Sequence, residues 1–509
     1  MFGVASWQSR HNRFRRDTTM SSPQPISISG LARQQDASAA NPLLPLLQAQ
    51  QKAFLERGIT DVKQRIEALE TLGKAIGEYS DELVKAVMAD FGHRSPHETV
   101  LTEVLANLGE IRLTKGHIKK WMKPHKVPAS IQSLPATGYA VYQPKGVVGV
   151  MGAWNYPAFL IFSPLIGVLA AGNHAMIKPP DVTPRTSEVI AELIAKHFDP
   201  SFITVVTGDV QKAIEFSELP FDHLIYTGNT EVGRKIMMAA AKNLTPVTLE
   251  MGGKSPTIIG EDYPIEKAVQ RILLGKTINS GQTCIAPDYV MVPKGKEQEF
   301  VDAYSRAITR RYPTVADNQD ITWIVNERHF KRISALIDDA REKGANVVQI
   351  NPRNEAIPEG KRVIPHTVVT NVNDDMAVMQ EEIFGPVLPV IGYESLQHAM
   401  RYIQERPRPL ALYYFDANRK RADHVIGQTI SGGACVNDTM LHIAHPNLPF
   451  GGIGPSGLGA YHGFDGFVEF SHKKGVLYQR SWFSPGMFVK GPYPKRAYGL
   501  LQRVSKWLA

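Results

Sequence analysis

From Asp61 to Asp90 apolar side chains recur every three or four residues, at Ile66, Leu69, Leu72, Ile76, Tyr79, Leu83 and Val87. That period is helical, and it predicts one long amphipathic helix whose apolar stripe faces a core. Val100, Leu101, Val104, Leu105, Leu108 and Ile111 predict a second. After Pro124 and Pro128 the pattern shortens into apolar runs. Gly146-Val147-Val148-Gly149-Val150-Met151 reads as a buried strand ending near Trp154-Asn155. Ala175-Met176-Ile177, Phe202-Ile203-Thr204-Val205-Val206 and His223-Leu224-Ile225-Tyr226 read as three more. Helical patterns separate these strands, and they resume with further strands past Gly260. The fold class this predicts is α/β, with two doubly wound parallel sheets, each holding ligands at the carboxyl ends of its strands.

Composition narrows the picture. A chain of 509 residues is too long for a single core, so two or three domains are expected. Two cysteines permit one disulfide at most, which argues for a reducing compartment, and the cytoplasm is the expected location. The formal charge of +8 sits at the ends: residues 1–20 carry +3 and residues 490–509 carry +5, leaving a neutral body. A neutral body offers no basic stripe for phosphates, so nucleic-acid binding is not expected. The longest apolar stretch, Phe159–Gly172, is interrupted by Ser163 and Pro164 and is too short to cross a bilayer. The first twenty residues, Arg-rich and poor in acid, resemble an organelle transit peptide. The simpler alternative is that Met20 is the true start. Residues 1–42 read as a flexible lead-in, with order beginning near Pro45.

Chemistry concentrates in a few segments. Glu250, in Leu249-Glu250-Met251-Gly252-Gly253-Lys254, stands thirty-four positions before Cys284, in Asn279-Ser280-Gly281-Gln282-Thr283-Cys284. A thiol among small residues is open to a substrate, and a carboxylate folded beside it can take a proton from the thiol or from water. A buried structural cysteine is the alternative, and for Cys435, in Gly433-Ala434-Cys435-Val436, it is the preferred one. Gly228-Asn229-Thr230-Glu231-Val232-Gly233 follows a strand and opens a helix, where phosphates meet helix N-terminal amides. Its glycine spacing lacks the middle glycine of the dinucleotide fingerprint, and a tight turn without ligand explains it equally well. Lys178 and Asp181 follow a strand at the sheet's carboxyl edge; a solvated lysine and an ordinary helix cap are the alternative. His442 and His445 lack a third ligand, so no metal is expected. At the C-terminus Leu500, Leu501, Val504, Trp507 and Leu508 share one helical face, suited to an anionic membrane surface, to a partner subunit, or to docking on the protein itself.

Taken together, Gly152-Ala153-Trp154-Asn155-Tyr156-Pro157, Ile177-Lys178-Pro179, Leu249–Lys254, Gly281-Gln282-Thr283-Cys284, Glu381-Glu382-Ile383-Phe384-Gly385-Pro386 and Pro449-Phe450-Gly451-Gly452 resemble the NAD(P)-dependent aldehyde dehydrogenases in order and spacing, over about residues 45–475. Ala286-Pro287-Asp288-Tyr289 and Gly457–Gly463 resemble the class-three branch, and within it the bacterial coniferyl aldehyde dehydrogenases. The resemblance implies Cys284 as nucleophile, Glu250 as base and Asn155 as oxyanion donor. It implies a cofactor held by Lys178, Asp181, Gly228, Asn229, Gly233, Glu382 and Phe384. Asp181 is shorter than the family's frequent glutamate and leaves room for a 2′-phosphate, so NAD is expected with NADP as the alternative.

The resemblance also implies an organisation: 43–122 with 143–249 for the cofactor, 250–436 for catalysis, 123–142 with 437–478 as a bridging oligomerisation element in a homodimer, and 479–509 as a basic tail. It places His442 near a substrate tunnel. The expected partner is a small aldehyde, hydroxycinnamyl or medium-chain aliphatic, oxidised to its acid. A CoA-acylating enzyme would lack Glu250, a cysteine hydrolase would need a histidine base, and a non-enzymatic protein would not need Asn155, Glu250 and Cys284 together.

Overall fold

A computed structural model describes residues 41–130, 133–445, 447–486, 490–494 and 497–508. Most of the lead-in, and with it the choice between Met1 and Met20, lies outside the described residues. The first described helix is Leu44–Arg57. The next begins at Asp61, whose side chain accepts from the Gln64 N–H at 2.9 Å while the Gln64 side chain accepts from the Asp61 N–H at 2.9 Å, a reciprocal cap. The single long helix expected here is two, Val62–Glu78 and Ser80–Phe91, because the Tyr79 backbone (φ −95°, ψ 13°) leaves the helical path. Asp81 and Glu82 in the first turn of the second favour a fresh start there. The apolar face is otherwise as the periodicity implies, with Leu69, Leu72, Ile76, Leu83 and Val87 buried.

The second stripe is rotated from its expected position. Leu101 and Leu105 are 61% and 52% exposed, whereas Glu103 and Asn107 are completely buried. Residues Val100–Leu105 form a π-helical turn, which shifts the facing positions and swings a carboxylate inward.

Strands β1 (His125–Val127) and β2 (Thr137–Pro144) come first, followed by β3 (Val147–Met151), β4 (His174–Lys178), β5 (Ile203–Val205), β6 (His223–Gly228) and β7 (Val247–Met251). The last five run parallel. From β3 the chain steps outward to β4 and β5, then returns to lay β6 on the other side of β3. The reversal opens a crevice at the carboxyl ends of β3 and β6, where such sheets bind ligands. The helix Phe159–Ala171 covers this sheet and is buried along its whole length.

A second sheet is built from β8 (Pro256–Ile259), β9 (Tyr289–Pro293), β10 (Asn346–Gln349), β11 (Thr367–Thr370), β12 (Val387–Tyr393), β13 (Ala411–Phe415) and β14 (Gly433–Val436), in the order β10-β11-β12-β9-β8-β13-β14. Only β10 runs antiparallel. Cys435 lies in β14 and packs against the core. One apolar core continues from Leu69 and Leu169 through Val290 to Tyr413, so the two large sheets share it. Two late strands close the fold. Strand β15 (Gly457–Leu458) joins the first sheet beside β7, and β16 (Ser471–Tyr478) pairs antiparallel with β2 in a three-stranded sheet with β1. Among the described residues no helix is long and apolar enough to cross a membrane.

Candidate active site

The cysteine loop is built on a strained turn. After the helix Ile265–Thr277 the backbone passes through Asn279, Ser280 and Gly281 at φ 50°, 50° and 71°, left-handed conformations that cost energy in the two non-glycine residues. Neighbours hold it there. The Asn279 N–H donates to Glu98 Oε1 at 2.7 Å, and the Asn279 amide donates to the Asn155 and Gln282 carbonyls at 2.9 and 3.0 Å. The Gln282 amide donates to the Asn279 and Trp323 carbonyls at 3.0 and 3.1 Å and accepts from the Val325 N–H at 3.0 Å. A Cβ on Gly281 would sit 2.5 Å from the Gly385 carbonyl oxygen. The glycine is therefore demanded by backbone angle and close approach. Cys284 follows this turn, half-buried and with a free thiol.

Asn155 comes from the carboxyl end of β3 to the same loop. It is buried, and its Nδ2 donates to the Gln282 carbonyl at 3.2 Å. The next residue, Tyr156, hydrogen-bonds through its hydroxyl to Thr283 Oγ1 at 2.8 Å. The Asn155 carbonyl accepts from Arg94 Nη1 at 3.2 Å. Arg94 and Glu103 are both fully buried and pair at 2.7 Å, while the other Glu103 oxygen accepts from the Ala158 N–H at 2.7 Å, at the start of the buried helix. Sequence reasoning missed Arg94, Glu98, Glu103 and Asn279. A buried carboxylate beside Val104 on an apolar stripe is the signal that was present.

Glu250 lies in β7, 1% exposed, next to Thr227 of β6 and Gly457 of β15 in the ladders. Apart from the Cys284 thiol, neither carboxylate oxygen has a hydrogen-bond partner among the described residues. Burial raises its pKa to about 8, opposed by the Cys284 thiol facing it. The thiol in turn is pushed well above its ordinary value, by burial first and then by the fields of Glu250 and Glu382. Glu382 rests over Gly252, where a Cβ would lie 2.3 Å from its oxygens. Its pKa also rises to about 8, chiefly from burial and then from Asp288, against the pull of the Gly253 N–H and Lys254. Three acidic groups, Glu250 buried and Cys284 and Glu382 partly buried, thus lie close together, where they do not all ionise unless a positive charge joins them. Phe384, at φ 52°, packs edge-on to Trp154 with centroids 5.3 Å apart.

Histidines do not supply that positive charge. Burial lowers His462 to about 3 and His442 to about 4, which keeps both neutral. His442 packs between Tyr413 and Phe450, with centroids 6.1 Å from each. Among the described residues no cluster of three or more His, Cys, Asp or Glu could hold a metal.

The remaining candidates line the crevice. Lys178, the last residue of β4, is 3% exposed rather than solvated; its Nζ donates to the Pro179 carbonyl at 2.8 Å, and burial lowers its pKa against the fields of Asp181 and Asp209. Asp181 is exposed and does not cap the following helix, whose N-cap is Thr183, so the helix-cap alternative is corrected. Gly228 ends β6, and Asn229 caps the helix Thr230–Ala241, accepting from the Glu231 N–H at 2.8 Å. Gly233 faces inward, where a Cβ would meet Met251 Sδ at 2.6 Å, so it lets this helix lie close on β7. Residues at the carboxyl ends of β3, β4, β6 and β7 thus converge on one crevice, with a cation, a capped helix start and a buried carboxylate. That set fits a dinucleotide.

Residues 14–476 match the aldehyde dehydrogenase family. The "Probable coniferyl aldehyde dehydrogenase" of Pseudomonas aeruginosa is 45% identical over 471 residues, covering 92% of this chain and 98% of that protein. The substrate-bound Staphylococcus aureus AldH superposes with a TM-score of 0.84 at 36% identity, covering 91% of this chain and 99% of that one. A Mycobacterium tuberculosis aldehyde dehydrogenase complexed with NAD+ superposes with a TM-score of 0.77 at 26% identity, over 86% and 90% of the two chains.

Proposed function

The chain belongs to the aldehyde dehydrogenase family, and from that premise we propose that it oxidises hydroxycinnamyl aldehydes such as coniferyl aldehyde to their acids through a thioester on Cys284. The observation that carries this is the meeting of the free thiol with a buried Glu250 that has no other partner among the described residues, and with an Asn155 amide tied to the thiol's own loop.

The Cys284 sulfur bonds the aldehyde carbon after its proton passes to Glu250. The oxyanion that forms is held by Asn155 Nδ2 and the Cys284 N–H; one such donor contributes about 3 to 4 kcal/mol in the transition state. Bound NAD(P)+ supplies the hydride acceptor. With that first proton released to solvent, Glu250 then removes a proton from the water that attacks the thioester and returns it to the leaving Cys284 sulfur, which releases the acid and restores the thiol. Lys178 and Asp181 would hold the adenosine ribose, Gly228, Asn229 and Gly233 would line the phosphates, and Glu382 with Phe384 would hold the nicotinamide end. NAD is the expected cofactor, and the exposed Asp181 leaves space for NADP.

One observation supports an aromatic substrate: the Pseudomonas relative is named for coniferyl aldehyde. Rates of NADH formation on coniferyl aldehyde, benzaldehyde and a series of alkanals, repeated with NADP, test it. A kcat/KM highest for an alkanal would overturn the hydroxycinnamyl assignment. We further expect a homodimer joined through the three-stranded sheet, where Leu477 and Tyr478 of its edge strand β16 are 60% and 63% exposed.

A further inference from the structure

The C-terminal segment takes no part in the site described above. Residues 479–509 contain Arg480, Lys490, Lys495, Arg496, Arg503 and Lys506 and no acidic residue. Within it Ala497–Leu508 is a helix. At 3.6 residues per turn, Leu500, Leu501, Val504 and Trp507 fall inside an arc of about 120°. Arg503 borders that arc, and Gln502 and Lys506 lie opposite.

The sequence left open whether this face docks on its own protein. It does not do so among the described residues: Leu500 is 64% exposed, Leu501 66%, Val504 43% and Trp507 83%. An exposed face of this composition calls for an occupant, and three observations identify it. Arg503 and Lys506 are interleaved with the four apolar side chains along the described helix, an amphipathic pattern that suits a helix lying in an interface. Its charge is positive and unopposed, which suits a surface of anionic headgroups. A second copy of the same face would bring like charges together, which disfavours self-pairing.

We propose that the helix Ala497–Leu508 docks in the plane of an anionic lipid surface. Leu500, Leu501, Val504 and Trp507 enter the acyl boundary while Arg503, Lys506 and Lys490 meet the headgroups. Such an attachment is reversible and weakened by salt.

The test is flotation of the full-length protein with phosphatidylcholine vesicles, either pure or containing about one quarter phosphatidylserine. Binding to the anionic vesicles only, lost at high salt, is expected. Arg503→Glu with Lys506→Glu, and separately Leu501→Ser with Trp507→Ser, should each weaken it at least about tenfold. Both double variants should keep wild-type NADH formation, which shows that they fold. Absence of flotation, or equal binding to neutral vesicles, overturns the proposal. So does a change of oligomer size in the variants with vesicle binding unchanged, which would assign the face to a protein partner.

Discussion

Glu250 is the residue on which the proposed chemistry turns, because only its ionised form can take a proton from water. With its pKa at about 8, thioester hydrolysis should rise nearly tenfold per pH unit below that value and level off above it. Steady-state NADH formation after the first turnover, followed against pH, checks this. Glu250→Gln removes the acceptor of both the thiol proton and the water proton, so it should lower the initial burst of NADH as well as the steady-state rate and flatten the profile. Cys284→Ser should lower turnover at least about a thousandfold while cofactor binding, followed by calorimetry, persists. Asn155→Ala should cost about a hundredfold to a thousandfold in kcat; a loss within a factor of two would refute the oxyanion role. Cys284 and Glu250 stand out in the sequence because one of only two cysteines and a carboxylate sit in short glycine-rich strings, and Asn155 stands out through the family resemblance. Arg94 and Glu103 do not, since their importance comes from being buried together by elements far apart in the chain.

At the scale of elements, the strained loop before Cys284 is the most exposed to mutation. Gly281→Ala forces a side chain onto a left-handed backbone and into the Gly385 carbonyl. It should destabilise the protein by about 1 to 3 kcal/mol and abolish most activity, as read by denaturant midpoint and by titration of reactive thiol. Arg94→Met leaves the buried Glu103 without its cation, held only by the Ala158 and Phe159 N–H groups, a loss of about 3 to 5 kcal/mol expected to shorten the lifetime of activity on heating. Helix existence was readable here, since a 3.6 period imposed by a core survives any detail of packing. Helix faces and ends were not. The break at Tyr79 and the π turn at Val100–Leu105 depend on which partners meet each turn, and those partners are distant in sequence.

Across the whole molecule, the alternation of apolar runs with helical stripes was enough to predict parallel sheets and the crevice at their carboxyl ends, because each β-α repeat is local. What the alternation could not reveal is β15, two residues long and too short to carry any period. Yet it is Gly457 that flanks Glu250 on the outer side of its sheet. During synthesis at ~5 to 20 residues per second, some ten to forty seconds separate the emergence of the glutamate from that of its flanking strand. A nascent chain stalled before Gly457 already holds Asn155, Glu250, Cys284 and Glu382, but the edge of β7 is bare. Such ribosome-bound chains should show no NADH formation, and activity should first register once the final strands are released.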